Sequence, residues 1–314
     1  MIKNGEIMFG DDETTLIKPK KRLENAKDVL RSVIYEDGRS STKQFEALMA
    51  RDIFQNPKST TILSRLFNFV VEDGDIVMDF FSGSASTAEC IMNLNEKKHS
   101  NIHYILVQIP ESIDKVFLTA KDKAKKTAQN AIKFLDSIGK PHTICEIGKE
   151  RIRRAGKKIK EDSPLTTQDL DTGFRVLKLD SSNMEDIYYT PKDISQANLF
   201  SLVDNVKSDR TAEDLLFQVM LELGATLDSK IITMRNEELG MRNCEREYTV
   251  YNVADGYLVA CFDKDVTDEV VTTIAKMHPL YAVLRDTSMA NDSTATNFEQ
   301  LFKTYSPDTV TKIL

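Results

Sequence analysis

Two short apolar runs constrain this chain more than any other feature. Ile76-Val77-Met78-Asp79-Phe80 feeds a turn of small residues, Phe81-Ser82-Gly83-Ser84-Ala85-Ser86, and a helical stretch follows through about Asn95. The polar loop NEKKHSN then leads into the second run, His103-Tyr104-Ile105-Leu106-Val107-Gln108-Ile109. Strand, turn, helix and strand make a βαβ unit, whose strands are expected to be parallel and joined by a right-handed crossover. An α/β class follows.

The flanks extend this reading. Upstream, Ser59 or Thr60 can cap a helix in which Ile62, Leu63, Leu66, Phe67 and Val70 recur at helical spacing, ended by EDGD. Before it, residues 1–50 are loop-rich, with GDDETT and KPKKR as polar punctuation and FEALMA as a short helical turn. Residues 112–160 read as helices, and EDSPLTTQDLDTG marks a boundary. Beyond it, GFRVLKLD is predicted as a strand, TAEDLLFQVMLELG as an amphipathic helix stopped by Gly224, and Asp255-Gly256 as a hairpin turn. TDEVVTTIAKM, PLYAVLRD, a helix near Asn297–Tyr305 and TVTKIL then alternate helix and strand. Three parts are expected: 1–50, loop-rich and not a complete domain; 51–160, carrying the βαβ unit; and 161–314, a smaller acidic α/β domain.

Charge divides along the same line. Residues 1–160 hold 28 basic against 22 acidic side chains, residues 161–314 hold 14 against 27, and different partners are expected for the two halves. Seven of the basic residues crowd into Lys149–Lys160. Such a run is either a solvated helix face or a phosphate-contacting surface, formed by Lys149, Arg151, Arg153, Arg154, Lys157 and Lys158. Cys90, Cys145, Cys244 and Cys261 form no CxxC pair and are expected as buried thiols of a reducing compartment; His99 and His103 are read as loop residues, and no metal site is expected. No run approaches the ~18 apolar residues of a membrane span, and the start resembles no signal peptide, so the expectation is a cytoplasmic protein with no membrane partner.

A glycine-bearing turn at the end of a parallel strand places helix N–H groups, with about half an elementary positive charge, where a ligand can approach closely. The turn has one glycine, too few for GxGxxG, and lacks the lysine of a phosphate-binding loop. Taken alone it leaves both a nucleotide-like cofactor and a purely structural role open.

The surrounding sequence resembles a known family. Asp79-Phe80-Phe81-Ser82-Gly83-Ser84-Ala85-Ser86-Thr87-Ala88 is similar to the D-F-F-x-G-S-G-T-T-A motif of amino-group DNA methyltransferases that use S-adenosylmethionine. Phe54-Gln55-Asn56-Pro57-Lys58-Ser59 resembles the F-x-N-P-K-P motif that precedes it in the permuted class. Tyr104 to Glu111 resembles that family's second strand, and IGKERIRRAGKKI, GFRVLKLDSSN and the stretch near Arg285 and Asp292 are similar to the modification subunit of type III restriction-modification systems.

The resemblance implies part of a Rossmann-like methyltransferase sheet followed by a smaller α/β domain. It implies S-adenosyl-L-methionine held by Phe54, Asn56, Pro57, Lys58, Asp79, Phe80, Phe81, Gly83, Ser84, Ala85, Ser86 and Thr87, with Gln108 or Glu111 replacing the acidic residue that binds ribose. Two positions depart from the motif: Ala85 stands where glycine is usual, and its methyl could crowd the cofactor or forbid a positive φ; Ser86 replaces threonine.

No DPPY, NPPY or SPPY tetrad occurs anywhere in the sequence, so no catalytic residue is assigned. The resemblance thus implies the C-terminal half of an adenine-specific modification subunit, inactive alone. Its expected partners are double-stranded DNA, a restriction (helicase-nuclease) subunit, and a missing N-terminal half or second modification subunit. A noncatalytic scaffold with a degenerate pocket, and a small-molecule methyltransferase, are the competing readings.

Overall fold

Local capping and burial explain the elements around the turn. The computed structural model describes residues 7–8, 14, 18–19, 29–30, 33–164, 167, 169–185, 206–241, 246–288 and 292–314, without the side chains of 8, 18–19 and 292–296. Cys244, Asn291 and most of GDDETT and KPKKR lie outside the described residues. The chain divides into two compact units, Met1–Phe174 and Arg175–Leu314.

In the first unit, β1 (Ile7–Met8) and β2 (Lys18–Pro19) form a short antiparallel pair. The helical turn expected at FEALMA is a full helix, α1 (Gly38–Leu48), because Asp37 caps it by accepting from the Arg39 N–H and Phe45 anchors it in the core. Helix α2 (Thr60–Val70) begins where expected: the Ser59 hydroxyl accepts from the Ile62 N–H at 3.1 Å. Strand β3 (Ile76–Asp79), helix α3 (Ser86–Lys98) and strand β4 (His103–Leu106) form the βαβ unit, with the strands parallel.

In a parallel pair, residues in register share a face. Val77 with Tyr104, and Leu106 beside them, pack toward α3, whose Cys90, Ile91, Met92 and Leu94 are buried. The opposite face is apolar and uncovered among the described residues. Ile76 is 60% exposed, and the paired Met78 and Ile105 are 49% and 46% exposed. Helix α2 repeats this asymmetry, with Leu63 and Phe67 against the core and Leu66, Phe69 and Val70 exposed.

Three helices complete the unit: α4 (Ile113–Thr119), α5 (Asp122–Ser137) and α6 (Ile144–Asp162). Their junction is fastened by His142. Its Nδ1 lies 2.9 Å from Asp114 and its Nε2 2.9 Å from Asp136, while its carbonyl accepts from the Ile113 N–H. A ring with a carboxylate on each nitrogen is best served as the doubly protonated imidazolium. The bonds to Asp136 and then Asp114 accordingly raise its pKa above the ordinary 6.5.

The second unit is a five-stranded mixed sheet covered on both faces. Helix α7 (Ala212–Leu223) starts with a capping box between Thr211 and Asp214 and stops at left-handed Gly224. The strands are β5 (Ile231–Arg235), β6 (Thr249–Val253), β7 (Leu258–Cys261), β8 (Tyr281–Leu284) and β9 (Val310–Ile313), in spatial order β5-β6-β7-β8-β9. The first two pairings are antiparallel and the last two parallel. Helices α8 (Asp268–Lys276) and α9 (Asp292–Tyr305) contribute to one core cluster and α7 to the other. β7 is buried along its whole length.

Two features differ from the sequence expectation. GFRVLKLD forms no strand: it finds no ladder partner, and Val176, Leu177 and Leu179 are exposed. Edge strand β5 carries no sequence expectation, because the partner strand β6 selects it rather than any pattern of its own. Among the described residues no helix is long and apolar enough to cross a membrane, and the cysteines are free thiols, Cys90 and Cys261 buried and Cys145 half-buried.

The His142 clasp makes a pH prediction. A raised pKa means the folded form binds the proton more tightly, so the stabilisation is complete below pH ~6.5 and lost as pH rises through the folded-state pKa. The thermal midpoint of His142→Gln should fall furthest below the parent at pH 5.5 and approach it at pH 9, measured by circular dichroism. An equal deficit at both pH values would contradict the clasp.

Candidate functional site

The candidate site is the connection between β3 and α3. Asp79 ends the strand, and its carboxylate ties the two ends of the turn together: Oδ1 accepts from the Phe81 N–H at 3.1 Å and Oδ2 from the Thr87 hydroxyl at 2.6 Å. Between them, the Ser82 N–H donates to the Val107 carbonyl and the Ala85 N–H to the Ser82 carbonyl. The Gly83 N–H donates to Gln108 Oε1 at 2.8 Å, which brings the end of the β4 run against the turn. Gln108 is also held by its own neighbours, since its Nε2 donates to the Ile109 carbonyl and its carbonyl accepts from the Cys145 thiol.

Sterics explain the small residues. Gly83 has φ +50°, and a Cβ there would lie 3.3 Å from Phe54 Cζ, so the turn needs glycine both for its backbone and for its closeness to that ring. Ala85 adopts φ 59° and ψ 39°, a left-handed conformation that costs an L-residue about 1–2 kcal/mol. The expectation that a methyl group would forbid a positive φ here is therefore corrected. α6 presents Gly148 to the turn, where an added Cβ would lie 3.3 Å from the Gly83 carbonyl oxygen, a tight approach, and 3.5 Å from Ala85 Cβ, an ordinary contact.

No side chain caps the N-terminus of α3. Its first turn therefore keeps the unsatisfied donors and partial positive charge of a helix start, the features that suit a carboxylate. Phe80 and Phe81 are exposed, the latter at 86%, and offer apolar surface beside the turn. Of the upstream motif, Phe54 reaches the turn; Pro57 is buried, while Asn56, in a left-handed conformation, and Lys58 are exposed. Glu111 is exposed, and its carbonyl accepts from the Ile144 N–H. Ser84 and Ser86 are buried and turn their hydroxyls inward.

The partner of those hydroxyls is Arg151, which the sequence placed either on a solvated helix face or on a phosphate-contacting surface and which the structure corrects to the interior. Arg151 is 1% exposed and cannot reach a duplex. Its Nε donates to Glu89 Oε2 at 2.6 Å, and its Nη1 donates to the Ser84 carbonyl at 3.2 Å, the Ser84 hydroxyl at 2.8 Å and the Ser86 hydroxyl at 2.7 Å. Arg154 is likewise directed inward, to Glu150 and the carbonyls of Leu48 and Met49, and Lys149 pairs with Glu146. Arg153, Lys157 and Lys158 remain exposed, with Arg153 over the Phe174 ring and Lys157 facing Glu161. Nothing local in the sequence marks Arg151 apart from its neighbours, because its acidic partner lies 62 positions away.

Comparison with known proteins adds an independent observation. Residues 6–153 match the DNA methylase family. The Mod subunit of the type III restriction-modification enzyme EcoP15I from Escherichia coli is 33% identical over 183 residues, 57% of this chain and 24% of that subunit. The StyLTI Mod subunit of Salmonella typhimurium is 32% identical over 133 residues, 42% of this chain and 18% of the relative. The EcoPI Mod subunit of Escherichia phage P1 is 30% identical over 138 residues, 44% and 18% respectively. The chain thus spans a quarter or less of the length of these relatives. The stretch that carries the turn, residues 6–153, matches the DNA methylase family and is similar to the modification subunits of type III restriction-modification enzymes.

Proposed function

We propose that this chain supplies the methyl-donor pocket of an S-adenosylmethionine-dependent DNA methyltransferase acting on the 6-amino group of adenine, as part of a type III restriction-modification system. The observation that carries this reading is the convergence at Gly83. The ring of Phe54, from one motif, limits the space at its Cα, and the amide of Gln108, from the second strand, binds its N–H. Three separated pieces of sequence thereby meet at the carboxyl end of a parallel strand pair, where α/β folds bind nucleotide-like ligands.

When bound, S-adenosylmethionine supplies the electrophilic methyl group. The uncapped start of α3 and Lys58 would hold its carboxylate, Phe80 or Phe81 would line the adenine, and Gln108 or Glu111 would face the ribose. Residues 51–160 would form this cofactor-binding part, on a sheet of Rossmann type. Arg153, Lys157 and Lys158 would serve double-stranded DNA, and a restriction subunit would be the enzymatic partner.

The chain has no tetrad to accept the hydrogen bonds of the target amine. The apolar face of β3 and β4, uncovered among the described residues, supports further polypeptide covering it, since parallel strands are ordinarily covered on both faces. One observation favours the second reading, a noncatalytic scaffold: Gln108 already occupies the Gly83 N–H that a ligand would use.

Calorimetric titration with S-adenosylmethionine separates the two. Micromolar binding is expected, and absence of heat and of any competition by S-adenosylhomocysteine would exclude the pocket. The free chain already holds Ala85 left-handed, so Ala85→Gly should raise the thermal midpoint and leave the affinity within about threefold. The purified chain alone should transfer no radiolabel from the cofactor to DNA, and measurable turnover would overturn the assignment of the tetrad to other polypeptide.

A further inference from the structure

We infer that Arg151 is a positioning residue for the methyl-donor turn: it holds Ser84-Ala85-Ser86 in the shape the cofactor needs and does what glycine would otherwise do at position 85. The inference rests on the methyl-donor reading above. A guanidinium this deeply buried is costly unless its donors are met by acceptors in good geometry. Pairing with Glu89 through Nε would suffice to join α6 to α3. Nη1 instead makes three bonds, all of them to the residues immediately on either side of Ala85. The Phe45 ring lies against the guanidinium, with its centroid 5.1 Å from Cζ, and fixes its plane from α1.

The residue so flanked is the one whose backbone is strained. Glycine populates the left-handed region freely, whereas alanine leaves it when nothing holds it there. Arg151 binds the carbonyl and hydroxyl of the preceding residue and the hydroxyl of the following one, so Ala85 cannot relax without breaking charge-assisted bonds. Both serine hydroxyls accept from Arg151 and keep their own O–H groups as donors. Lysine cannot substitute, because one ammonium group lacks the planar fork that reaches Glu89 and both serines together.

The clamp predicts a coupling that a simply structural arginine would not produce. Affinity for S-adenosylmethionine is measured by calorimetry in four full-length chains: the parent, Arg151→Lys, Ala85→Gly and the double substitution. Arg151→Lys should weaken binding roughly tenfold or more in the parent background, as expected for lost hydrogen bonds to a charged group. In the Ala85→Gly background the loss should shrink to about threefold or less. Equal losses in both backgrounds, or no loss in either, would overturn the clamp.

A second readout needs no ligand. Amide hydrogen exchange at residues 83–88 should quicken in Arg151→Lys, while exchange in the second unit stays as in the parent. Should Arg151→Lys fail to fold, Ser86→Ala removes one acceptor with little change in volume and should quicken the same amides. A parent chain that gives no signal with S-adenosylmethionine sinks the methyl-donor reading. The exchange result then decides the positioning role by itself, with unchanged protection at 83–88 counting against it.

Discussion

The buried cation at Arg151 is the constraint on which the first unit depends. There α1, α3, α6 and the β3–α3 turn meet through a single group: the Phe45 ring, the Glu89 carboxylate and the two serines of the turn. A charge withdrawn from water fixes its surroundings more strictly than an apolar side chain of similar volume, because every donor must keep its acceptor. The long α6 helix therefore cannot slide along α3 without exposing an unpaired charge. That rigidity keeps the turn in one conformation although its own residues are small and intrinsically permissive.

Around this cation, two glycines and an alanine share a very small volume. Gly83 makes room for Phe54, and Gly148 makes room for the Gly83 carbonyl beside Ala85. The methyl group at position 85 is therefore better understood as one member of a packed trio than as damage to a motif. A side chain at 148 would crowd the Gly83 carbonyl, whereas glycine there lets the backbone of α6 approach the turn. The strain that remains is in the backbone of Ala85, and it is localised where a ligand would use it.

What the sequence reveals follows the range of the interaction. The βαβ unit, the Ser59 cap, the Gly224 stop and the Asp255-Gly256 hairpin are written in residues a few positions apart, and each is where the local pattern puts it. The Phe54–Gly83 contact is legible only through the resemblance of two motifs, although nothing in either one says that they touch. Arg151 is misread from sequence for a physical reason: a charge run looks the same whether its members face solvent or a carboxylate from another helix. Of that run, Arg151 and Arg154 are directed inward, and only tertiary geometry distinguishes them from Lys157 and Lys158. GFRVLKLD fails for the complementary reason, since β-propensity makes a strand only where a partner supplies the ladder.

The two apolar runs are themselves a statement about layers. A strand with one face toward water alternates apolar and polar residues, yet here both Val77 and Met78, and both Tyr104 and Ile105, are apolar or aromatic. Helix α3 accounts for Val77 and Tyr104; nothing among the described residues accounts for Met78 and Ile105. In the second unit the same kind of sequence, Leu258-Val259-Ala260-Cys261, is buried on both faces between its helices. The contrast within one chain separates pattern from context: β7 has found the layers its sequence requires, and β3 with β4 has found one of two. The turn they carry is fully formed nonetheless, because its support comes from α6 through Arg151 rather than from the uncovered side of the sheet.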